Sequence, residues 1–102
     1  LAGDFNNDRR MDTHPTFARK GKRTTNLMFD RVEDYRLQDC VKEYYPDSVQ
    51  TYRHNTGNYF WQLDHMFASK KIFKNLNNLY IDNSDEVNRL SDHNPIVADF
   101  DI

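Results

Sequence analysis

The sequence predicts an α+β fold, in which short strands alternate along the chain with amphipathic helices. Two stretches, 59–68 and 96–102, alternate apolar and polar residues with the period of two that is typical of half-buried strands. A third stretch places its apolar residues at helical spacing, at Leu27, Met28, Val32 and Tyr35. At 102 residues the chain has the length of a single domain.

The first half of the chain is predicted to contain one strand end, a long loop and two helices. Residues 1–5 resemble the end of a strand, and residues 6–25 show no apolar period and contain loop-forming triplets such as Thr-His-Pro and Lys-Gly-Lys. Asn26 is the expected N-cap of the first helix. Asp39 is the expected N-cap of a second, Cys40 to Tyr45, which a proline ends.

The second half begins with a predicted hairpin that carries a carboxylate in an apolar strand. Residues 51–53 form its first strand, and residues 55–58 have the composition of its turn. In the return strand 59–68, three apolar residues share one face, Trp61, Leu63 and Phe67; the opposite face carries Gln62, Asp64 and Met66. An unpaired buried charge costs several kcal/mol, so Asp64 requires a hydrogen-bonding partner.

The chain ends with a loop and a strand. Residues 77–82 are predicted as a short strand and residues 83–92 as a loop. Pro95 favours the start of a strand, which places Asp92 and His93 on the loop before it. In that strand, the expected buried face consists of Ile96, Ala98, Phe100 and Ile102.

Composition excludes several classes of protein. A formal net charge of -2 gives no overall attraction to nucleic acid or membranes. The single cysteine, Cys40, excludes an intramolecular disulfide and a cysteine-rich zinc site. No apolar run approaches the roughly 20 residues of a membrane span, and no signal-peptide pattern is visible. Together with the lone cysteine, these observations favour the cytoplasm.

Three short polar stretches could carry chemistry: Gly-Asp-Phe-Asn at 3–6, Gln-Leu-Asp-His at 62–65 and Ser-Asp-His at 91–93. Taken singly, each could close a turn, pair with an arginine or cap a loop. Together they place three carboxylates, an amide and an imidazole at strand ends or within a strand. That set suits metal-assisted phosphoryl chemistry, which needs acidic groups for the cation and a base or orienting group for water.

The ordered set GDFN, QLDHMFAS and LSDHNPIVADF resembles the C-terminal half of the endonuclease/exonuclease/phosphatase superfamily, which includes exonuclease III, DNase I, sphingomyelinases and inositol polyphosphate phosphatases. The resemblance implies a four-layered sandwich of two mixed β-sheets flanked by helices, with this chain supplying mainly one sheet and its helices. Residues 1–102 would then be the C-terminal portion of a single domain whose N-terminal half is absent.

The resemblance also implies roles for individual residues. Asp4 resembles the aspartate that hydrogen-bonds or deprotonates the attacking water, and Asn6 the amide that orients the water and the phosphate. Asp64 is similar to the aspartate that orients the catalytic histidine, and His93 to the imidazole that contacts the phosphate. Asp92 looks like a metal-site carboxylate. An Asp64 to His93 hydrogen bond also follows from the residues themselves, since it gives the carboxylate in the strand a partner.

Departures from the family pattern leave the subfamily and substrate open. Gln62 stands where many members have arginine, and His65 where many have tyrosine. No stretch matches the metal-binding glutamate, the early asparagine or the second phosphate-binding histidine of the family's N-terminal half. Outside the motifs, we expect His65 and Trp61 to be packing residues and Cys40 to be an inert small hydrophobe.

These observations predict a phosphodiesterase, nuclease or phosphatase that acts by in-line attack of an activated water, with Mg²⁺ as its cation and Mn²⁺ as the alternative. The different-class alternative is a non-catalytic phosphate- or partner-binding module of the same fold. Segment 6–25 carries six basic and two acidic residues, and four of the basic ones are expected to contact phosphates of the substrate, for example nucleic acid: Arg19, Lys20, Lys22 and Arg23.

The chain alone is expected to be inactive and to need a partner. One sheet of a two-sheet sandwich would leave Ile96, Ala98 and Phe100 facing water. The expected partners are the missing half of the domain or a second copy of the chain.

Overall fold

The computed structural model describes residues 1–13, 24–53 and 60–102, and the side chains of these ranges except 12, 13 and 24–26. The elements, in chain order, are β1 (Ala2–Asp4), a 3₁₀ helix (Arg9–Thr13), α1 (Thr24–Asp34), β2 (Leu37–Asp39), α2 (Cys40–Tyr44), β3 (Tyr52–Arg53), β4 (Phe60–Trp61), β5 (Asp64–Ser69), α3 (Lys70–Phe73), β6 (Leu76–Ile81), α4 (Asp85–Leu90) and β7 (Ile96–Phe100). The fold is α+β, as the sequence predicts.

Strand β5 is the centre of the largest sheet in the described part of the chain. It lies between β1 and β2 and pairs with both in antiparallel fashion. The register sets Asp4 directly opposite Asp64, so the last residue of β1 meets the first residue of β5. Two further antiparallel pairs, β3 with β4 and β6 with β7, complete the described strands.

The two faces of β5 pack against different parts of the chain. On one face, Met66 and Ala68 contact a core formed by Cys40 and Val41 of α2 and Leu79 of β6. On the other face, the ring of Phe67 lies near three more rings, those of Phe5, Phe29 and His65. Aromatic residues therefore supply much of the buried surface on this second face, as expected from a sequence in which 14% of residues are aromatic.

The expected exposure of β7 is wrong. Ile96, Ala98 and Phe100 do not face water but are partly buried, packed against the core of Cys40, Val41 and Leu79. Helix α2 and the Met66 and Ala68 side chains of β5 lie in the same core, and β6 contributes Leu79 from its place beside β7 in the sheet. Ile102, predicted on the same buried face, lies beyond the end of β7 and is 98% exposed.

The predicted return strand 59–68 is not continuous. It is divided into β4 and β5 by Gln62 and Leu63, which belong to neither strand. The backbone amides at the division bond to side-chain oxygens: that of Gln62 to Asp8 Oδ2, at 2.7 Å, and those of Leu63 and Asp64 to Thr51 Oγ1, at 3.0 Å each. These three amides therefore do not bond to a neighbouring strand. The chain leaves the sheet of β3 and β4 here and enters the sheet of β1, β5 and β2.

Two segments predicted as loops contain helices. Within 6–25, Asp8 immediately precedes the 3₁₀ helix, and its side chain accepts from the backbone N–H of Arg10 at 2.8 Å while its carbonyl accepts from that of Met11. Within 83–92, Ser84 caps α4 by accepting from the backbone N–H of Val87 at 3.3 Å. The acidic first turn of α4 adds a favourable interaction with the helix dipole.

The predicted helices are present with altered details. Helix α1 begins at Thr24, so Asn26 lies inside it and is not its N-cap. Among the side chains of α1 that the structure describes, that of Phe29 is buried. Leu27 and Tyr35, which the spacing predicts on the apolar face, are 51% and 80% exposed. The N-cap of α2 is confirmed, because Asp39 accepts from the backbone N–H of Lys42 at 3.0 Å. The predicted hairpin turn at 55–58 lies outside the described residues.

None of the helices in the described ranges combines the length and the apolar character needed to cross a bilayer. The sequence likewise predicts no membrane span.

Leu79 should contribute strongly to stability, because it is 3% exposed and joins β6 to α2. We expect Leu79→Ala to lower the free energy of unfolding by about 2 to 5 kcal/mol, through reduced burial and a residual cavity. Leu90→Ala, at a site 73% exposed on α4, is the matched control and should change it by about 0.5 kcal/mol or less. Chemical denaturation of both variants tests this; equal losses of stability would contradict the core described above.

Candidate active site

The site centres on a hydrogen bond between Asp64 and His93. Nδ1 of His93 lies 2.8 Å from Oδ2 of Asp64, within the range for a charge-assisted hydrogen bond. The Asp64 side chain is 17% exposed and the His93 side chain 32% exposed, so the pair stands at the edge of the protein. This confirms the partner predicted for the carboxylate in the apolar strand.

The loop that carries His93 is held against strand β3. The backbone N–H of Arg53 donates to the carbonyl of Asp92 at 2.8 Å, and that of Asn94 donates to the carbonyl of Thr51 at 2.7 Å. His93 itself forms an isolated antiparallel bridge with Tyr52, whose ring centroid lies 4.9 Å from that of the imidazole. The backbone of His93 is therefore held by β3, and its imidazole packs against the ring of Tyr52.

Side chains within and beside this loop reinforce that attachment. The guanidinium of Arg53 donates to the side-chain oxygen of Asn94 and to the carbonyl of Ser91. Asn94 is 2% exposed, and its amide donates to the carbonyl of Gln50 at 3.2 Å. No local pattern in the sequence indicates these bonds, because the partners are about 40 residues apart.

Asp4 approaches the other ring nitrogen of His93. Oδ2 of Asp4 is 3.7 Å from Nε2, a position that follows from the pairing of Asp4 with Asp64 in the sheet. Oδ1 of Asp4 accepts from the backbone N–H of Asn6 at 2.8 Å, which closes a tight turn. Asn6 has a φ of 52°, a left-handed conformation that asparagine tolerates well, and it is exposed beside the site.

Asp92 lies at the rim of the cluster. Its Oδ1 is 4.0 Å from Nε2 of His93, and its side chain is 58% exposed. The five candidate residues of the three motifs are therefore linked by contacts in one cluster: Asp4, Asn6, Asp64, Asp92 and His93.

The carboxylates raise the pKa of His93. Burial alone would lower this pKa, but the hydrogen bond to Asp64 and the negative charges of Asp64, Asp4 and Asp92 outweigh it. The shift favours the imidazolium form, which could donate from Nε2 to an anion while Nδ1 stays bonded to Asp64.

Asp4, Asp64 and His93 could hold a metal ion, since one ligand atom from each lies within 4.8 Å of the others. Carboxylate oxygens are the donors that Mg²⁺ prefers, and the exposed side of the cluster would leave room for water ligands. The sequence predicts Asp92 as the metal ligand, whereas this group of ligand atoms in the described part of the chain does not include it.

Asp8 supports the site, and the sequence motifs do not include it. It is 2% exposed, and its carboxylate accepts from Arg10 Nε at 3.0 Å and from Arg10 Nη2 at 2.6 Å. Burial would raise its pKa, but the hydrogen bonds from Arg10 and from the backbone of Gln62 outweigh burial and lower it. Asp8 thus remains charged while it fixes the chain two residues before Asp64.

The residues expected to serve packing do so. His65 is 3% exposed, points away from Asp64 on its strand and has both ring nitrogens occupied, by the carbonyl of Asn7 at 2.7 Å and the amide of Gln62 at 3.2 Å. Trp61 is 5% exposed. Cys40 is fully buried, and burial raises the pKa of its thiol to about 11, so the reactive thiolate is scarce at neutral pH.

The four basic residues that the sequence predicts to contact phosphates lie outside the described residues: Arg19, Lys20, Lys22 and Arg23.

No protein-family model matches the chain, and no curated protein matches it.

We expect the pKa of His93 to lie above its ordinary value of 6.5, and Asp64→Asn to lower it. Because the folded-state pKa is raised, the protonated imidazole contributes stability below 6.5, and this contribution is lost as the pH rises through the folded-state pKa. An NMR titration in metal-free buffer, with denaturation at a series of pH values, measures both effects. Asp101→Asn, at an exposed position, is the control; an identical shift there would refute the assignment to Asp64.

Proposed function

We propose that the chain carries part of the active site of a divalent-metal-dependent phosphoester hydrolase, a phosphodiesterase, nuclease or phosphatase. The observation that carries the proposal is the Asp64 to His93 hydrogen bond of 2.8 Å, with the carboxylate of Asp4 on the side of the other ring nitrogen. The resemblance of the three motifs to the endonuclease/exonuclease/phosphatase superfamily supports the same interpretation. Its four-layered sandwich, with this chain as the C-terminal portion of one domain, is our proposal for the complete fold.

In this proposal, His93 stabilises negative charge on the phosphate. Asp64 accepts a hydrogen bond from Nδ1–H, which leaves Nε2 directed toward Asp4 and the exposed side of the cluster. A protonated imidazole there would donate to a phosphate oxygen as charge accumulates during in-line attack. The raised pKa of His93 shifts the ring toward that protonated form.

Asp4 is the proposed base or orienting group for the attacking water. Its side chain is 40% exposed, so water can reach it, while Oδ1 is held by the backbone N–H of Asn6. Asn6 stands next to it on the exposed surface and could orient the water or the phosphate through its amide. General-base assistance of this kind typically contributes about a hundredfold or more to the rate.

Mg²⁺ is the proposed cation, with Mn²⁺ as the alternative. Asp92 and Asp4, the two exposed carboxylates of the cluster, are the residues of this chain that would hold it, because a His93 ring protonated on both nitrogens has no lone pair for a metal. The resemblance assigns a further glutamate to the other half of the domain. When bound, the cation supplies positive charge that offsets the charge of the phosphate and lowers the pKa of a coordinated water.

His93→Ala and Asp4→Asn in the full-length protein should each lower the turnover of a phosphoester by about a hundredfold or more, without unfolding the protein. Asp99→Asn, at an exposed position on β7, should leave turnover unchanged. Assays against nucleic acid, phospholipid and inositol phosphate substrates, with Mg²⁺ or with a chelator, test the proposal. Absence of turnover on all three classes, together with retained phosphate binding, would favour the non-catalytic binding module.

If the substrate is a nucleic acid, the basic segment should bind its phosphates. Replacing Arg19, Lys20, Lys22 and Arg23 together by glutamine should flatten the salt dependence of binding, by about 0.9 in the logarithmic slope for each phosphate interaction removed on duplex DNA. The control replaces three lysines of the exposed surface at α3, Lys70, Lys71 and Lys74, and should leave the slope per charge removed unchanged. Equal slopes in the wild type and the first variant would show that the segment does not bind phosphate.

A further inference from the structure

We propose that Thr51 is a positioning residue that holds Asp64 and His93 in register with each other. The proposal rests on the function proposed above for its catalytic meaning, but its structural claim is independent of any activity. Thr51 makes no contact with His93 or with the carboxylate of Asp64 among the described hydrogen bonds; it acts through the backbone on either side of them.

The hydroxyl of Thr51 fixes the start of β5. Oγ1 accepts from the backbone N–H of Leu63 and from that of Asp64, at 3.0 Å each. The second donor is the amide of the catalytic candidate itself, so this bond sets the position from which the Asp64 side chain extends. Thr51 is fully buried, which makes water a poor substitute for its oxygen.

The backbone of the same residue fixes the loop that carries His93. The carbonyl of Thr51 accepts from the backbone N–H of Asn94 at 2.7 Å, immediately after His93. Its N–H donates to the carbonyl of Trp61 at 3.1 Å, which ties it to β4. One residue therefore bonds directly to the segments that present both members of the Asp64 to His93 pair.

The positioning of Asp64 therefore depends on the hydroxyl oxygen of Thr51 and not merely on the size of its side chain. Valine has nearly the same shape as threonine but would leave the amides of Leu63 and Asp64 without their acceptor. Serine would keep the oxygen and remove only a methyl group. A shift of a few tenths of an ångström at Asp64 would weaken its bond to Nδ1, since hydrogen bonds weaken steeply with distance and angle.

The test is the ¹⁵N NMR spectrum of the His93 imidazole in metal-free buffer, at a pH above its pKa. In the wild type, the neutral ring should carry its proton on Nδ1, because Nδ1–H donates a hydrogen bond to Asp64. Thr51→Val should lower the ratio of this tautomer to the Nε2–H tautomer by roughly tenfold or more, because a hydrogen bond to a charged acceptor is weakened or broken. Thr51→Ser should restore the wild-type ratio.

A control separates positioning from loss of stability. Val41→Ala removes packing from the core beneath α2, where Val41 is fully buried and bonds neither to Asp64 nor to the His93 loop among the described hydrogen bonds. It should destabilise the protein without changing the His93 tautomer. If Thr51→Val does not fold, Thr51→Cys replaces it, since a thiol is a weak acceptor and should give an intermediate ratio.

The outcomes are distinct. A wild-type tautomer ratio in a folded Thr51→Val or Thr51→Cys protein, or the same change in Val41→Ala, would overturn the positioning role. A protein that shows the expected tautomer series but hydrolyses no phosphoester would refute the proposed function and leave the positioning role intact.

Discussion

The structure depends on how three consecutive backbone amides are satisfied. The N–H groups of Gln62, Leu63 and Asp64 bond to side-chain oxygens of Asp8 and Thr51 in place of strand partners. Buried amides must find acceptors, so these two side chains determine where β4 ends and β5 begins. They also belong to different segments of the chain: Asp8 follows the segment of Asp4, and Thr51 precedes the strand that holds the His93 loop. The division therefore brings the three parts of the candidate site together.

The candidate site concentrates charges that oppose stability unless they are compensated. The Asp64 carboxylate is only 17% exposed, and its nearest described cationic partner is an imidazole that must be protonated to offset the charge. Asp4 and Asp92 add like charges on the far side of the same ring. Such a concentration of carboxylates is unfavourable for folding unless a proton or a cation compensates it, and perturbed groups of this kind are frequent where catalysis occurs.

The sequence predicts a feature correctly where its signal lies in a short stretch of chain, or where one residue departs from the apolar pattern around it. The alternation of β7, the cap of α2 and the unexpected charge of Asp64 are all visible in the sequence, and the last leads to His93. Prediction fails where distant side chains intervene: nothing in the period of 59–68 signals that Asp8 and Thr51 divide the strand.

The helices show two different causes of error. The predicted apolar set of α1 omits Phe29, which is buried because its ring packs against those of His65 and Phe67. For α4, the signal is present in Ser84 and the acidic residues after it, but the same residue types are also typical of loops.

The long separation between partners has a consequence for how the site assembles. Asp64 and His93 are 29 positions apart, and Gln62 and Asp8 are 54 positions apart. Closing such loops is entropically unfavourable until many contacts form together, so chains rich in them cross the folding barrier slowly. Helices α2 and α4, whose caps lie three residues from the amides they bind, can form within a short stretch of chain. The imidazole and its carboxylates should accordingly meet only in the last, concerted stage of folding, when the chain has already adopted its native topology.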